Sequence, residues 1–288
     1  MSNRRRPENT WRWDGNQLVD LVGSDSSAPN GTAASPYQRL LNHLHYLELN
    51  TAAERLKHVL DEGMRKKQSA SLVLERLLAQ EVAATQERRL RTRARTSQLP
   101  LGKTLENFDF DFQPSIDRQL VSELSTLRFI EEKRNVILVG PPGVGKSHLA
   151  IALGIRAVKA GYRVHFTSAR DLVDNLRKAD EQGRLDRAQR NDVIGPPLLI
   201  IDELGYLKLD QASATWIFHV ITKRYERGSI ILTSNRGFAD WADIFNEPVV
   251  ATAIVDRLLH NAVVLNIRGK SYRMRGYHAD QTAQYAPN

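Results

Sequence analysis

From residue 36 the apolar positions recur at helical spacing: Tyr37, Leu40, Leu41, Leu44 and Leu47, then Leu56, Val59 and Leu60, then Leu74, Leu77, Leu78 and Val82. Three successive helices are predicted, the second opened by a Thr51/Glu54 capping box and closed by Gly63. The third runs on into Arg88, Arg89, Arg91, Arg93 and Arg95, opposed only by Glu87, and helical spacing puts Arg88, Arg91 and Arg95 on one stripe. Beyond Pro100 the pattern changes. Residues up to about Gln113 read as a linker with Phe108, Phe110 and Phe112 at alternating positions. Short apolar runs at 136–139, 164–167, 198–201 and 230–232 then alternate with helical stretches, one of them started by a Ser168/Asp171 cap. That alternation predicts an α/β domain with a mostly parallel sheet covered by helices on both faces, preceded by a small all-helical domain.

The resulting organisation is a disordered tail over 1–35, a helical domain over 36–98, the α/β domain over 99–276 and a C-terminal tail over 277–288. With 288 residues, 41% of them hydrophobic, the chain can bury a sizeable core. It has no cysteine, which excludes disulfides, thiolate metal sites and cysteine nucleophiles and suits a reducing cytoplasm. His43 and His45 fall on different sides of a helix, a spacing that does not ligate metal. No apolar segment approaches the length of a membrane span and residues 1–30 hold no signal core, so a soluble, unexported, cytoplasmic protein is expected.

Charge changes the picture more through its location than its total. Net charge is +8, and through residue 98 there are 16 Lys and Arg against 11 Asp and Glu, so most of the excess lies in the smaller part. A helical unit ending in clustered arginines suits the phosphates of duplex DNA, where each neutralised phosphate releases a counterion. No base-reading motif accompanies the stripe, so backbone-directed contact is expected. Arg4–Arg6 read as a solvated terminal run, while Arg177, Lys178, Arg184, Arg187 and Arg190 fit a second DNA-facing surface and a solvated face equally.

The chemistry is concentrated at Gly140-Pro141-Pro142-Gly143-Val144-Gly145-Lys146-Ser147, a loop set between an apolar strand and the helix that opens at His148. A strand turning directly into a helix aims backbone N–H groups and the positive end of the helix dipole at one point, where a polyphosphate can sit. Pro141 and Pro142 carry no N–H, so the donors fall to Gly143 through Ser147, with Lys146 reaching the outer phosphates of ATP and the Ser147 hydroxyl completing a Mg²⁺ shell. Gly269-Lys270-Ser271 repeats the last three letters but has Val264 where the first glycine belongs, and is rejected as a second loop. The strand Leu198–Ile201 ends in Asp202, suited to Mg²⁺, and Glu203, suited to polarising the attacking water; Asn235 ends another strand and is placed to orient that water.

The ordered set GPPGVGKS, LLIIDE, ILTSN, Asp256-Arg257-Leu258 and Ser271-Tyr272-Arg273 resembles AAA+ ATPases of the clade that contains bacterial helicase loaders and the IstB transposition helpers. Thr104-Leu105-Glu106-Asn107-Phe108-Asp109-Phe110, the arginine-ended helical unit and Ser271–Arg275 resemble IstB in particular, over about residues 36–275. The resemblance implies an AAA+ fold and Mg²⁺-dependent ATP hydrolysis, with Arg257 inserted as an arginine finger into a neighbouring subunit's site and Arg273 as a sensor in its own. It further implies a homo-oligomer with ATP-bridged interfaces, assembled on duplex DNA and assisting a transposase; a helicase loader acting on a replicative helicase is the alternative. A small-molecule kinase is disfavoured by the Asp202/Glu203 pair and the late arginines.

Overall fold

The computed structural model describes residues 11–13, 18–20, 35–100, 102–206, 209–245 and 247–275. Arg4–Arg6 and the expected C-terminal tail lie outside the described residues. Within the segment expected as an N-terminal tail, β1 (Trp11–Trp13) pairs antiparallel with β2 (Leu18–Asp20). The chain divides into two compact units, Met1–Ala83 and Ala84–Asn288. None of the helices among the described residues is long and apolar enough to cross a membrane.

The first unit contains the three predicted helices, α1 (Pro36–Tyr46), α2 (Asn50–Arg65) and the first half of α3 (Ala70–Thr96). Its core is small: Leu44, Ala52, Ala53, Leu56, Val59 and Leu77 are buried. Several positions predicted to face inward do not, since Tyr37, Leu40, Leu47, Leu74, Leu78 and Val82 are all exposed. The predicted capping box also fails. Helix α2 begins two residues earlier, with Leu49 as its N-cap and no side-chain cap bond from that residue. Instead the buried Glu81 reaches across from α3 and accepts the Ala52 N–H at 2.9 Å, setting a carboxylate against the positive end of α2. Gly63 does not end α2 either. It lies inside the helix, where a Cβ would come within 2.5 Å of Val73 Cγ2, so its role is close approach between α2 and α3.

The second unit holds the α/β domain. After α4 (Arg118–Leu124) and α5 (Arg128–Glu131) come β3 (Asn135–Val139), α6 (Lys146–Lys159), β4 (Val164–Ser168), α7 (Ala169–Glu181) and α8 (Leu185–Ala188). A π-helical turn at Gln189–Ile194 leads to β5 (Leu198–Leu204), α9 (Gln211–Arg224), β6 (Ser229–Ser234), α10 (Trp241–Phe245), α11 (Pro248–Leu259) and β7 (Ala262–Asn266). As expected, Ser168 caps α7 by accepting the Asp171 N–H at 3.0 Å. The sheet has the order β4-β5-β6-β3-β7 and every pair is parallel.

Alternate residues of the strands feed two separate cores, which is why the strands read as continuous apolar runs. Ile137, Val139, Leu199, Ile201, Ile230 and Leu232 face α7, α9, α10 and α11, while Val136, Leu138, Leu198, Ile200 and Ile231 face α4, α5 and α6. At the entry ends of β5 and β6 the buried Arg224 donates to the carbonyl oxygens of Val193, Pro196, Pro197 and Ser229. Burial lowers its pKa to about 10, so it remains a cation at neutral pH and fastens four carbonyls at one point. The strand order puts β6 between β3 and β5. The exit ends of these three strands, where the phosphate loop, Asn235 and the carboxylate pair were predicted, therefore lie side by side.

Candidate functional site

The loop Gly140–Gly145 leaves β3 and delivers its last residues into the first turn of α6. Gly143 and Gly145 are left-handed, with φ of 80° and 99°. Glycine is needed there on a second count: a side chain at Gly143 would collide with Ser271, and one at Gly145 would come within 2.6 Å of the Phe108 ring. Lys146 is buried and its Nζ donates to the carbonyls of Gly140 at 2.7 Å and Pro141 at 2.8 Å. Burial pushes the Lys146 ammonium below the ordinary lysine range; Arg273 adds to the effect, and Asp202 and Glu203 oppose it. Three charged side chains, Arg273, Asp202 and Glu203, therefore act on the Lys146 ammonium at a single site.

Behind the loop, Ser147 Oγ donates to Asp202 Oδ1 at 2.8 Å, joining the first turn of α6 to the end of β5. Glu203, the next residue, is exposed to the cavity and sits at φ 64°. A left-handed non-glycine residue at a strand end costs on the order of 1–3 kcal/mol, a strain that accumulates at functional sites. Asn235 lines the same cavity, and its Oδ1 is buried without a hydrogen-bond partner. Among the described residues no group of three or more His, Asp or Glu is placed to hold a metal. A divalent cation would therefore be shared between a carboxylate, a hydroxyl and phosphate oxygens, the habit of Mg²⁺.

A cavity of about 240 Å³ collects the loop residues Gly143–His148 together with Glu203, Asn235 and Arg273. Of the predicted nucleotide-binding set, Gly140, Pro141 and Pro142 fall outside its lining, although Gly140 and Pro141 hold Lys146. Asp202 stands behind the wall, reached through Ser147. Arg257 is elsewhere. On α11 it donates to the Ala253 carbonyl at 3.0 Å, and its guanidinium lies 5.0 Å from the centre of the Phe218 ring.

One wall of the cavity went unrecognised in the sequence. The segment expected as a linker contributes Lys103, Asn107, Phe108, Asp109 and Gln113 to the lining. His148 Nε2 lies 2.8 Å from the Thr104 carbonyl and 3.1 Å from Asn107 Oδ1; facing two oxygens, Nε2 is the protonated nitrogen. Phe108 stands edge-on to the His148 ring at 5.1 Å. The rejected Gly269-Lys270-Ser271 stretch leads into the wall residues Tyr272 and Arg273: Gln113 Nε2 donates to the Lys270 carbonyl at 2.8 Å, and Tyr272 N–H to the Gly143 carbonyl at 2.9 Å. Arg275 ties the two segments together, 2.8 Å from Asp109 Oδ2 and over the Phe112 and Tyr272 rings. The alternating aromatics were the available signal, but a partner segment more than 150 residues away leaves no local trace in spacing.

The arginine stripe belongs to the second unit. Arg88, Arg89, Arg91 and Arg95 are exposed and Arg93 is half-buried, with Arg91 also paired to Glu87 at 2.5 Å. In the other basic stretch, Arg177 is tied to Ser213 Oγ at 3.2 Å, whereas Lys178, Arg184 and Arg187 line an open cleft.

A parallel sheet that brings together a phosphate loop, a strand-end carboxylate pair, a strand-end asparagine and a late arginine defines a P-loop ATPase of the AAA+ class. Residues 41–279 match the family of IstB-like ATP binding proteins. The chain belongs to that family. It is 45% identical to the ATP-binding protein of insertion sequence IS5376 of Geobacillus stearothermophilus, a match covering 83% of this chain and 94% of that one. Identity to the ATP-binding protein of insertion sequence IS21 of Pseudomonas aeruginosa is likewise 45%, over 81% of this chain and 90% of the other. Among solved structures, the DnaC helicase loader is similar at 28% identity and a TM-score of 0.45, covering 52% of this chain and 86% of that one.

Proposed function

We propose that this chain is a Mg²⁺-dependent ATPase that assembles on duplex DNA as a homo-oligomer and assists the transposase of an insertion sequence. The observation that carries the reading is the division of its arginines: Arg273 lines the nucleotide cavity, while Arg257 sits outside that lining on α11. A site served by one arginine of its own and a second supplied by a neighbour hydrolyses only when subunits meet. Residues 277–288 remain an expected tail and residues 36–98 an expected DNA-binding domain, although the compact units divide inside α3.

The chemistry follows from this chain's residues. Backbone N–H groups from Gly143 to Ser147 hold the phosphates, and Lys146 turns from the loop carbonyls to the outer phosphate oxygens. Ser147 and Asp202 are the residues to hold Mg²⁺, which when bound neutralises phosphate oxygens. Glu203 takes a proton from a water oriented by Asn235. The water oxygen forms a bond to the γ-phosphorus as the bond from that phosphorus to the β–γ bridging oxygen breaks, leaving ADP and inorganic phosphate. Arg273 and the neighbour's Arg257 oppose the negative charge on the transferring group. DNA phosphates meet Arg88, Arg89, Arg91, Arg93 and Arg95. The names of the two insertion-sequence relatives support a transposase as the partner that reads the assembled state.

Glu203→Gln tests this reading. The variant is expected to bind ATP, to lose turnover and to persist as an oligomer on duplex DNA, seen by sizing or particle imaging. Unchanged turnover, or isolated subunits with ATP and DNA present, would contradict it.

A further inference from the structure

Thr233 lies on β6, the strand between the phosphate loop's strand and the carboxylate strand, and is 1% exposed. Its hydroxyl makes two hydrogen bonds to consecutive residues of β5. Oγ1 donates to Asp202 Oδ1 at 2.5 Å and accepts the Glu203 N–H at 3.0 Å. A hydroxyl has one proton, and here it goes to Asp202; the lone pair takes the amide. Side chain and backbone of the carboxylate pair are thus read by a single oxygen.

The pairing of β5 with β6 explains why such an oxygen is needed. Ile201 is opposite Leu232, but the next pair is Leu204 with Ser234, so β5 carries one extra residue and bulges at Asp202–Glu203. Inside a bulge the ladder offers the Glu203 amide no regular carbonyl. Thr233 Oγ1 replaces it, and Glu203 is held at φ 64° with its side chain at the cavity. Ser147 Oγ donates to the same Asp202 Oδ1, so two hydroxyls from different elements fix the rotation of that carboxylate. Thr233 and Asn235, just beyond the end of β6, both border the cavity.

We infer that Thr233 is a positioning residue for hydrolysis: it holds the β5 bulge so that Asp202 faces Ser147 and Glu203 faces the cavity. The inference rests on the assignment of Glu203 as water activator and adds the group that aims it. Thr233→Val keeps the shape and removes the hydroxyl, whereas Thr233→Ser keeps the hydroxyl. In the full-length chain with duplex DNA, Thr233→Val is expected to lower kcat about 10- to 100-fold, the cost of a misplaced reacting group, with nearly unchanged affinity for a nonhydrolysable ATP analogue. Thr233→Ser is expected to restore kcat. Should the valine variant not fold, Thr233→Ala removes the same hydroxyl and is read the same way. Wild-type kcat without the hydroxyl, or a loss of turnover and affinity together that serine does not rescue, overturns the inference. Glu203→Gln run in parallel separates the two claims. If it is inactive while Thr233→Val is fully active, only the role of Thr233 falls; if it is itself fully active, the functional reading falls.

Discussion

The two units differ in what they do with polar groups and with apolar ones. In the second unit the buried polar side chains are structural members: Arg224 fastens four carbonyls, Thr233 joins two strands and Asp202 joins a strand to a helix. Two apolar cores on opposite faces of the sheet support them. Among the described residues of the first unit there is one small core and a single buried carboxylate, Glu81, while Leu74, Leu78 and Val82 stand exposed along α3. A short helical unit with so small a core has little stability in reserve. The α/β unit can thus hold strained, charged geometry for chemistry, whereas the helical unit is poised to respond to modest changes.

The largest effect expected from breaking this contrast is at the site. Lys146→Ala removes the buried ammonium and should weaken ATP binding about 100-fold, the worth of a charge-assisted hydrogen-bonding group, without unfolding either unit. Calorimetric titration with a nonhydrolysable analogue measures it, and retained affinity would remove Lys146 from the phosphate site. Next is Leu56→Ala, a fully buried position in the helical unit. A loss of about 2–5 kcal/mol is typical of such a truncation and should melt that unit while nucleotide affinity persists. Circular dichroism followed alongside ATP binding reports both; joint loss would mean the units are not independent.

Reversing Arg88, Arg91 and Arg95 to Glu should weaken duplex DNA binding and flatten its dependence on salt. Affinities measured across a salt series give the slope, and an unaltered slope would move the contact elsewhere. The smallest effect concerns Glu62, whose hydrogen bonds to Lys66 and Arg76 hold its pKa at about 2, well below the ordinary 4.5. A carboxylate with a depressed folded pKa contributes stability that is present above 4.5 and lost as the pH falls toward 2. Acid titration should therefore loosen the helical unit in that window, and Glu62→Gln should abolish this component; an identical acid profile in the variant would contradict it.

What was legible in the sequence follows the same division. The phosphate loop, the Asp202/Glu203 pair and four of the five parallel strands are local patterns, and the sheet brings them to one edge as predicted. The strand β7 was missed although Ala262-Val263-Val264-Leu265 is a short apolar run like those of its neighbours; its edge position, with Val264 exposed, appears only in the sheet order. Glu81 capping α2 across 29 residues and Gln113 gripping Lys270 across 157 leave no periodic trace. In the helical unit, spacing correctly predicted the helices but overstated their burial: a face as apolar as Leu74, Leu78 and Val82 reads as core whether or not anything within the unit covers it. Thr233 was hidden for a further reason, since its meaning depends on a bulge in the neighbouring strand.

The central claim is that each reaction centre is completed across a subunit boundary, and mixing two inactive variants tests it most directly. Arg257→Ala keeps its own Glu203 but offers no guanidinium, while Glu203→Gln offers Arg257 but cannot activate water. Mixed with ATP and duplex DNA, the pair should hydrolyse well above the sum of the two measured alone, because a Glu203→Gln subunit can complete its neighbour's site. A mixture no more active than its separate components, or an Arg257→Ala protein that hydrolyses normally by itself, would contradict the account.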